Sequence, residues 1–92
     1  MPTMDRFRRS QAVHARRFDG ELVVLDLEGG DYFALDEIGT ALWTGLEDGK
    51  SLKDIARAIS TSHDVTFERA LTDLTALRDD LVARRLLVHE RG

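Results

Sequence analysis

The side chains able to do chemistry in these 92 residues are few, and their spacing is informative. His14, His63 and His89 are far apart and form no His-x-x-x-His pair of the kind that holds a metal on one helix face. Ser10, Ser51, Ser60 and Ser62 are the serines, and none stands in the Gly-x-Ser-x-Gly setting that exposes a nucleophile on a strand-to-helix turn. Gly29-Gly30 is followed by Asp31, not lysine, and joins strand to strand, so it does not read as a phosphate cradle. Asp79-Asp80 reads as a solvated helix face. The chain has no cysteine, which removes thiolate ligands, disulfides and a cysteine nucleophile together. With no paired acid and base, the sequence reads as non-catalytic, with no cofactor and no metal site.

Length and composition narrow the remaining classes. A chain this short buries about 60–65% of the surface of its unfolded form, enough for one small core. Hydrophobic residues at 42% and charged residues at 33% describe a folded domain, not a disordered tail. No apolar run approaches the roughly 18 residues of a membrane span. The arginines near the N-terminus precede no apolar stretch, so no signal peptide is expected there and the chain reads as cytoplasmic, with no membrane partner. The net charge of −4 is uneven: residues 1–20 hold Arg6, Arg8, Arg9, Arg16 and Arg17 against Asp5 and Asp19, and the acidic excess lies beyond them. An acidic body is a poor match for a phosphate backbone.

Hydrophobic periodicity places the elements. Residues 1–11 lack a period and read as a flexible basic segment ahead of one domain over residues 12–89. Residues 12–18 alternate, with Val13, Ala15 and Arg17 on one side. Asp19-Gly20 marks a turn, and Glu21 to Leu27 forms a strand. Gly29-Gly30 suits a type I′ hairpin turn, since both glycines can take positive φ. Tyr32 to Leu35 is the return strand. Asp36, Ser51 and Thr66 are N-cap residues for three helices. The first carries Ile38, Ala41, Leu42 and Leu46 at helical spacing, with Gly39 permitting close packing and Trp43 filling the core. The second buries Leu52, Ile55, Ala56 and Ile59 and gives way to a polar break at Ser60 to Asp64. The third has the stripe Phe67, Ala70, Leu71, Leu74, Leu77 and Leu81. Leu86-Leu87-Val88 closes the domain as a short strand or extended tail. The fold class is α+β: a three-stranded antiparallel sheet followed by three helices, the last two ordered like a helix-turn-helix.

The run Leu25-Asp26-Leu27-Glu28-Gly29-Gly30-Asp31-Tyr32-Phe33-Ala34-Leu35 leads into Gly39-Thr40-Ala41-Leu42-Trp43, an Asp48-Gly49 turn, Leu52-Lys53-Asp54-Ile55-Ala56 and a final Leu86-Leu87-Val88. In this order the chain resembles the PqqD-like family, also called the RiPP recognition element, over about residues 12–88. The resemblance implies a winged helix-turn-helix-like domain that captures the leader of a ribosomally made precursor peptide and presents it to a maturation enzyme, such as a lasso-peptide leader peptidase or cyclase. It also admits a PqqD-type peptide chaperone of pyrroloquinoline quinone synthesis. The length suggests a stand-alone protein, monomeric or weakly dimeric.

Physical chemistry suggests where a peptide would sit. The return strand, Asp31, Tyr32, Phe33, Ala34 and Leu35, has one paired edge and one open edge without lysine, proline or bulge to blunt it. An extended peptide can add there as a further strand. Phe33 and Leu35 are expected to point inward, Tyr32 and Ala34 outward. The third helix supplies a wall from Ala70, Leu74, Leu77 and Leu81, with Asp73 and Arg78 flanking as charged contacts. The rival reading is winged-helix DNA binding through the third helix. Its opening turns offer Thr66, Glu68, Arg69, Thr72 and Asp73, one arginine against two carboxylates, which is a weak phosphate footprint.

Overall fold

The structure, a computed structural model, describes residues 5–91. In chain order it comprises β1 (Asp5–Arg9), β2 (Val13–Phe18), β3 (Glu21–Asp26), β4 (Tyr32–Leu35), α1 (Glu37–Glu47), α2 (Leu52–Ser62), α3 (Phe67–Ala83) and β5 (Leu87–Arg91). Strands β2, β3 and β4 form one antiparallel sheet in that order, with Val13 opposite Asp26 and Leu22 opposite Leu35. Alternation sorts its faces: Val13, Leu22, Val24 and Leu35 are buried beneath the helices, and their neighbours in each strand point the other way.

The two turns of this sheet differ. Asp19 and Gly20 have φ of 49° and 83° and join Phe18 to Glu21 as a type I′ turn, whose twist matches the strands. That geometry was expected at Gly29-Gly30 too, but only Gly30 is left-handed there, at φ 78°. The Asp26 side chain is the reason. Its Oδ1 accepts from the Glu28 and Gly29 N–H groups at 3.1 Å each, while its carbonyl accepts from Gly30 N–H at 2.8 Å. The carboxylate organises a longer turn, and β3 stops at Asp26 with Leu27 exposed.

All three expected caps are present. Asp36 Oδ1 accepts from Gly39 N–H at 2.8 Å, Ser51 Oγ from Asp54 N–H at 3.1 Å and Thr66 Oγ1 from Arg69 N–H at 3.1 Å. Each satisfies an amide that a helix start leaves without a partner. Helix α2 runs on through Ser60 to Ser62, beyond the predicted break, because Ser60, Thr61 and Ser62 turn their hydroxyls back onto the carbonyls of Arg57 and Ala58. Helix α1 ends in a Schellman motif at Gly49, with Lys50 N–H bonding Gly45 O at 2.9 Å. Helix α3 ends the same way, with Leu86 N–H bonding Leu81 O at 3.0 Å, but the left-handed residue is Arg85 at φ 63°.

Residues 1–11 were expected to be loose. Residues 1–4 lie outside the described residues, but Asp5–Arg9 forms β1, paired antiparallel with β5 so that Phe7 faces His89. The Phe7 ring stacks on His89 at 4.5 Å, lies under the Arg78 guanidinium at 4.9 Å and packs against the core. One aromatic among arginines gives no period to read, and its partner strand is distant in sequence.

The core is held by α1. Trp43 is 1% exposed and its Nε1 has no hydrogen-bond acceptor among the described residues. An orphaned donor costs about 1–3 kcal/mol, whereas burying some 200 Å² of ring at about 25 cal/mol per Å² contributes about 5 kcal/mol, so packing wins. Gly39 and Gly45 let neighbours approach: a Cβ on Gly39 would meet Leu35 Cβ at 3.1 Å, and one on Gly45 would meet Ile55 Cγ1 and Cδ1 at 2.7 Å. Ile55 is buried and β-branched, so it has little room to yield. Gly45→Ala should therefore destabilise the domain by about 1–3 kcal/mol despite the better helix propensity of alanine. Urea unfolding checks this, and the midpoint should fall with an unchanged m-value.

Candidate peptide-binding edge

The hydrogen-bond pattern of the β3–β4 pair decides which groups of β4 are available. Asp26 N–H bonds Asp31 O at 2.8 Å, so these opposed residues form a hydrogen-bonded pair. Bonded and non-bonded pairs alternate along an antiparallel ladder. The register continues Leu25–Tyr32, Val24–Phe33, Val23–Ala34 and Leu22–Leu35. Phe33 and Leu35 therefore turn their amides and carbonyls toward β3, and Tyr32 and Ala34 turn theirs outward. No described strand pairs with that outer side of β4. Leu35 O also accepts from the buried Thr40 hydroxyl at 3.2 Å, which ties the end of β4 to α1.

The opposite edge of the sheet, β2, carries Arg16 and Arg17, both exposed. Charged side chains along an edge discourage strand addition. β4 has none between Asp31 and Asp36. Its side chains divide as alternation predicts: Tyr32 and Ala34 exposed, Phe33 half-buried and Leu35 buried, with Asp31 exposed at the start.

The helix wall is only partly where the sequence placed it. Ala70, Leu74 and Leu81 are buried in the core and Leu77 is half-buried. Asp73 is exposed and held by Arg69 at 3.2 Å. Arg78 lies over Phe7 and pairs with Asp79 at 3.0 Å, so it is engaged on the β1 side of the helix. The side chain that reaches β4 is Arg84, which the sequence did not single out. Its guanidinium sits 4.8 Å from the Phe33 ring centre and pairs with Asp80 at 3.0 Å. A half-exposed cation over a ring contributes about 0.5–1 kcal/mol. Leu77 lies seven residues, two turns, before Arg84 and shares its face. That spacing was the available signal. The Arg84 guanidinium over Phe33 thus marks where the C-terminal end of α3 meets β4.

Other candidate chemistry does not assemble. A cleft of about 440 Å³ between α1 and α2 holds Ser62, His63 and Glu37 in a row. Ser62 Oγ is 2.9 Å from His63 Nδ1, and His63 Nε2 is 3.6 Å from Glu37 Oε1. However, Ser62 donates its proton to Ala58 O at 3.0 Å, and Glu37 is too far to orient the ring by a hydrogen bond. His14 and His89 lie on other strands, β2 and β5. Among the described residues no group of three or more His, Cys, Asp or Glu is placed to hold a metal ion. No described helix is long and apolar enough to cross a membrane. On the DNA reading, the one arginine in the opening turns of α3, Arg69, is already paired with Asp73.

The family described as Coenzyme PQQ synthesis protein D (PqqD) matches residues 21–87. Two solved structures are similar along nearly their whole length. One, "TbiB1 in Complex with the TbiA(beta) Leader Peptide", is 35% identical with a TM-score of 0.79, covering 87% of this chain and 93% of that one. The other, "Lasso peptide synthetase B1 complexed with the leader peptide", is 26% identical with a TM-score of 0.84, covering 89% and 96%. No curated protein sequence matches the chain significantly.

The ladder makes a residue-level prediction for the protein alone. The amides of Tyr32 and Ala34 should exchange with solvent deuterium quickly, and those of Phe33 and Leu35 slowly. NMR-detected exchange checks the alternation.

Proposed function

The chain belongs to the PqqD family, and from that premise we propose that it is a recognition protein that holds the leader of a ribosomally made precursor peptide and presents the rest to a maturation enzyme, performing no chemistry itself. The observation that carries this reading is the open edge of β4. Tyr32 and Ala34 offer two donors and two acceptors to an incoming backbone. At about 0.5–1.5 kcal/mol net for each bond made, these confer affinity but little choice of sequence. Choice comes from side-chain contacts. Phe33, Leu77 and Arg84 form the floor and inner wall of the site, with Asp73 at its helix rim. Buried Ala70, Leu74, Leu81 and Leu35 act through packing, by fixing where that wall stands. Arg78 belongs to the flank, where it braces α3 against β1.

Lasso-peptide maturation is the pathway these features favour. Both solved structures that share this length and fold were determined with leader peptides, and one is described as a lasso peptide synthetase. The family description favours a second reading, a peptide chaperone in coenzyme PQQ synthesis, which uses the same edge. In either pathway, holding the leader raises the effective concentration of the attached core peptide at an enzyme bound nearby. A protein of this kind works inside the cytoplasm, where precursors are made.

Ala34→Pro tests the reading directly. The substitution removes an outward donor while the ladder to β3 uses the bonds of Phe33 and Leu35, so the fold tolerates it. Binding of a fluorescent leader peptide, taken from the precursor encoded beside this chain, should weaken about tenfold or more with an unchanged circular dichroism spectrum. Unchanged affinity would remove β4 as the site.

A further inference from the structure

Arg85 occupies a position that helix geometry favours for glycine. It is the left-handed residue of the Schellman motif that ends α3, at φ 63°, where α1 has Gly49 at φ 81°. A Cβ in this region crowds its own backbone, and glycine has none. The negative end of the helix dipole does not call for a cation there, because Arg84, one residue earlier at φ −83°, already supplies one. Nor does a partner within the fold hold the side chain. Arg8, Arg57, Arg69, Arg78 and Arg84 each pair with a carboxylate. Arg85 is exposed and belongs to none of the ion pairs among the described residues.

Arg85 lines a cleft of about 730 Å³ between the turn that follows β3 and the junction of α3 with β5, with Asp26 and Glu28 on one wall and Arg84 and Val88 beside Arg85 on the other. The cleft adjoins the open edge. Asp26 N–H bonds Asp31 O at the start of β4, and Arg84 reaches the Phe33 ring at 4.8 Å. A strand added to β4 leaves the sheet at Asp31, beside this cleft. By alternation, the guest side chain level with Phe33 and the one level with Asp31 both turn toward the helices. On the sheet wall the Asp26 carboxylate is engaged by the Glu28 and Gly29 amides, while Glu28 and Asp31 are exposed.

We propose that Arg85 determines specificity for the leader by taking a carboxylate of the leader segment that runs past Asp31 into this cleft. The inference rests on the leader-binding reading and assigns a charge preference to a segment beyond the strand-paired one. A guanidinium holds a carboxylate through two parallel N–H bonds. Glu28 and Asp31 repel the same carboxylate from the sheet wall, so it is accepted in one place only. Main-chain pairing alone lets a guest slide along β4 by two residues without changing which side chains face the helices. A carboxylate seated on Arg85 fixes that register.

The test uses the full chain, the fluorescent leader peptide, and leader variants in which each Asp or Glu in turn is replaced by its amide. Arg85→Gly removes the guanidinium and relieves the left-handed residue, so its urea midpoint should equal or exceed that of the unaltered chain. Its leader affinity should fall about fivefold, and the decline of affinity with added salt should become shallower. One amide-substituted leader should lose the same factor against the unaltered chain and nothing further against Arg85→Gly. An Arg85→Gly chain that binds leader as the unaltered chain does, or a loss that no carboxylate substitution shares, would overturn the assignment and leave the leader-binding reading standing. An unaltered chain that binds no leader would overturn that reading, and this inference with it.

Discussion

Backbone amides and carbonyls must find partners, and in β4 half of them have none within the described protein. This constraint defines the edge proposed as the site. Phe33 and Leu35 spend their hydrogen bonds on β3, and Tyr32 and Ala34 present theirs to solvent. Water satisfies such groups, so the vacancy costs little in the free protein. It does leave a template with fixed spacing and direction, which an extended chain can complete. The opposite edge at β2 has the same vacancy in principle and is guarded by Arg16 and Arg17. One sheet thus has a protected side and a receptive side.

A receptive edge is useful only if it is held still, and the helices do that. Leu35 is pinned from two directions: its side chain lies against Gly39, where any Cβ would crowd it, and its carbonyl accepts from Thr40. Helix α1 is fixed in turn by the approach of Gly45 to Ile55 and by Trp43, which is held by packing and not by its own N–H. Helix α3 reaches the edge through Arg84 above Phe33, while Arg78 on its other flank grips Phe7 of the β1–β5 pair. The small second sheet, which takes no part in the open edge, thereby braces the helix proposed as the wall of the site.

The edge and the outer face of the sheet differ in what they expose. Its edge offers main-chain groups, which accept many sequences. Its outer face exposes Phe18, Leu27 and Tyr32 beside Arg16. Among the described residues the Ser62, His63 and Glu37 row is taken up by a helix-carbonyl bond and surface contacts.

Much of this was legible in the residues. Asp36, Ser51 and Thr66 announced three helices because a cap is a local interaction between a side chain and an amide three residues away. The alternation of Phe33 and Leu35 with Tyr32 and Ala34 indicated which way β4 faces, since a strand has a period of two, whereas the unbroken run Leu22-Val23-Val24-Leu25 hid which side chains of β3 are buried. The open edge followed from strand order alone. What needed the tertiary structure was everything set between distant segments. The pairing of β1 with β5 depends on Phe7 finding His89 and Arg78 across the fold. The β3–β4 turn depends on where the Asp26 carboxylate points, which the glycines after it conceal. Helix α3 ends at Arg85 with no glycine to mark it. Whether Arg78 or Arg84 meets β4 is set by how α3 is rotated against the sheet. Local chemistry writes itself into neighbouring residues, whereas helix rotation and strand partnership are decided by packing.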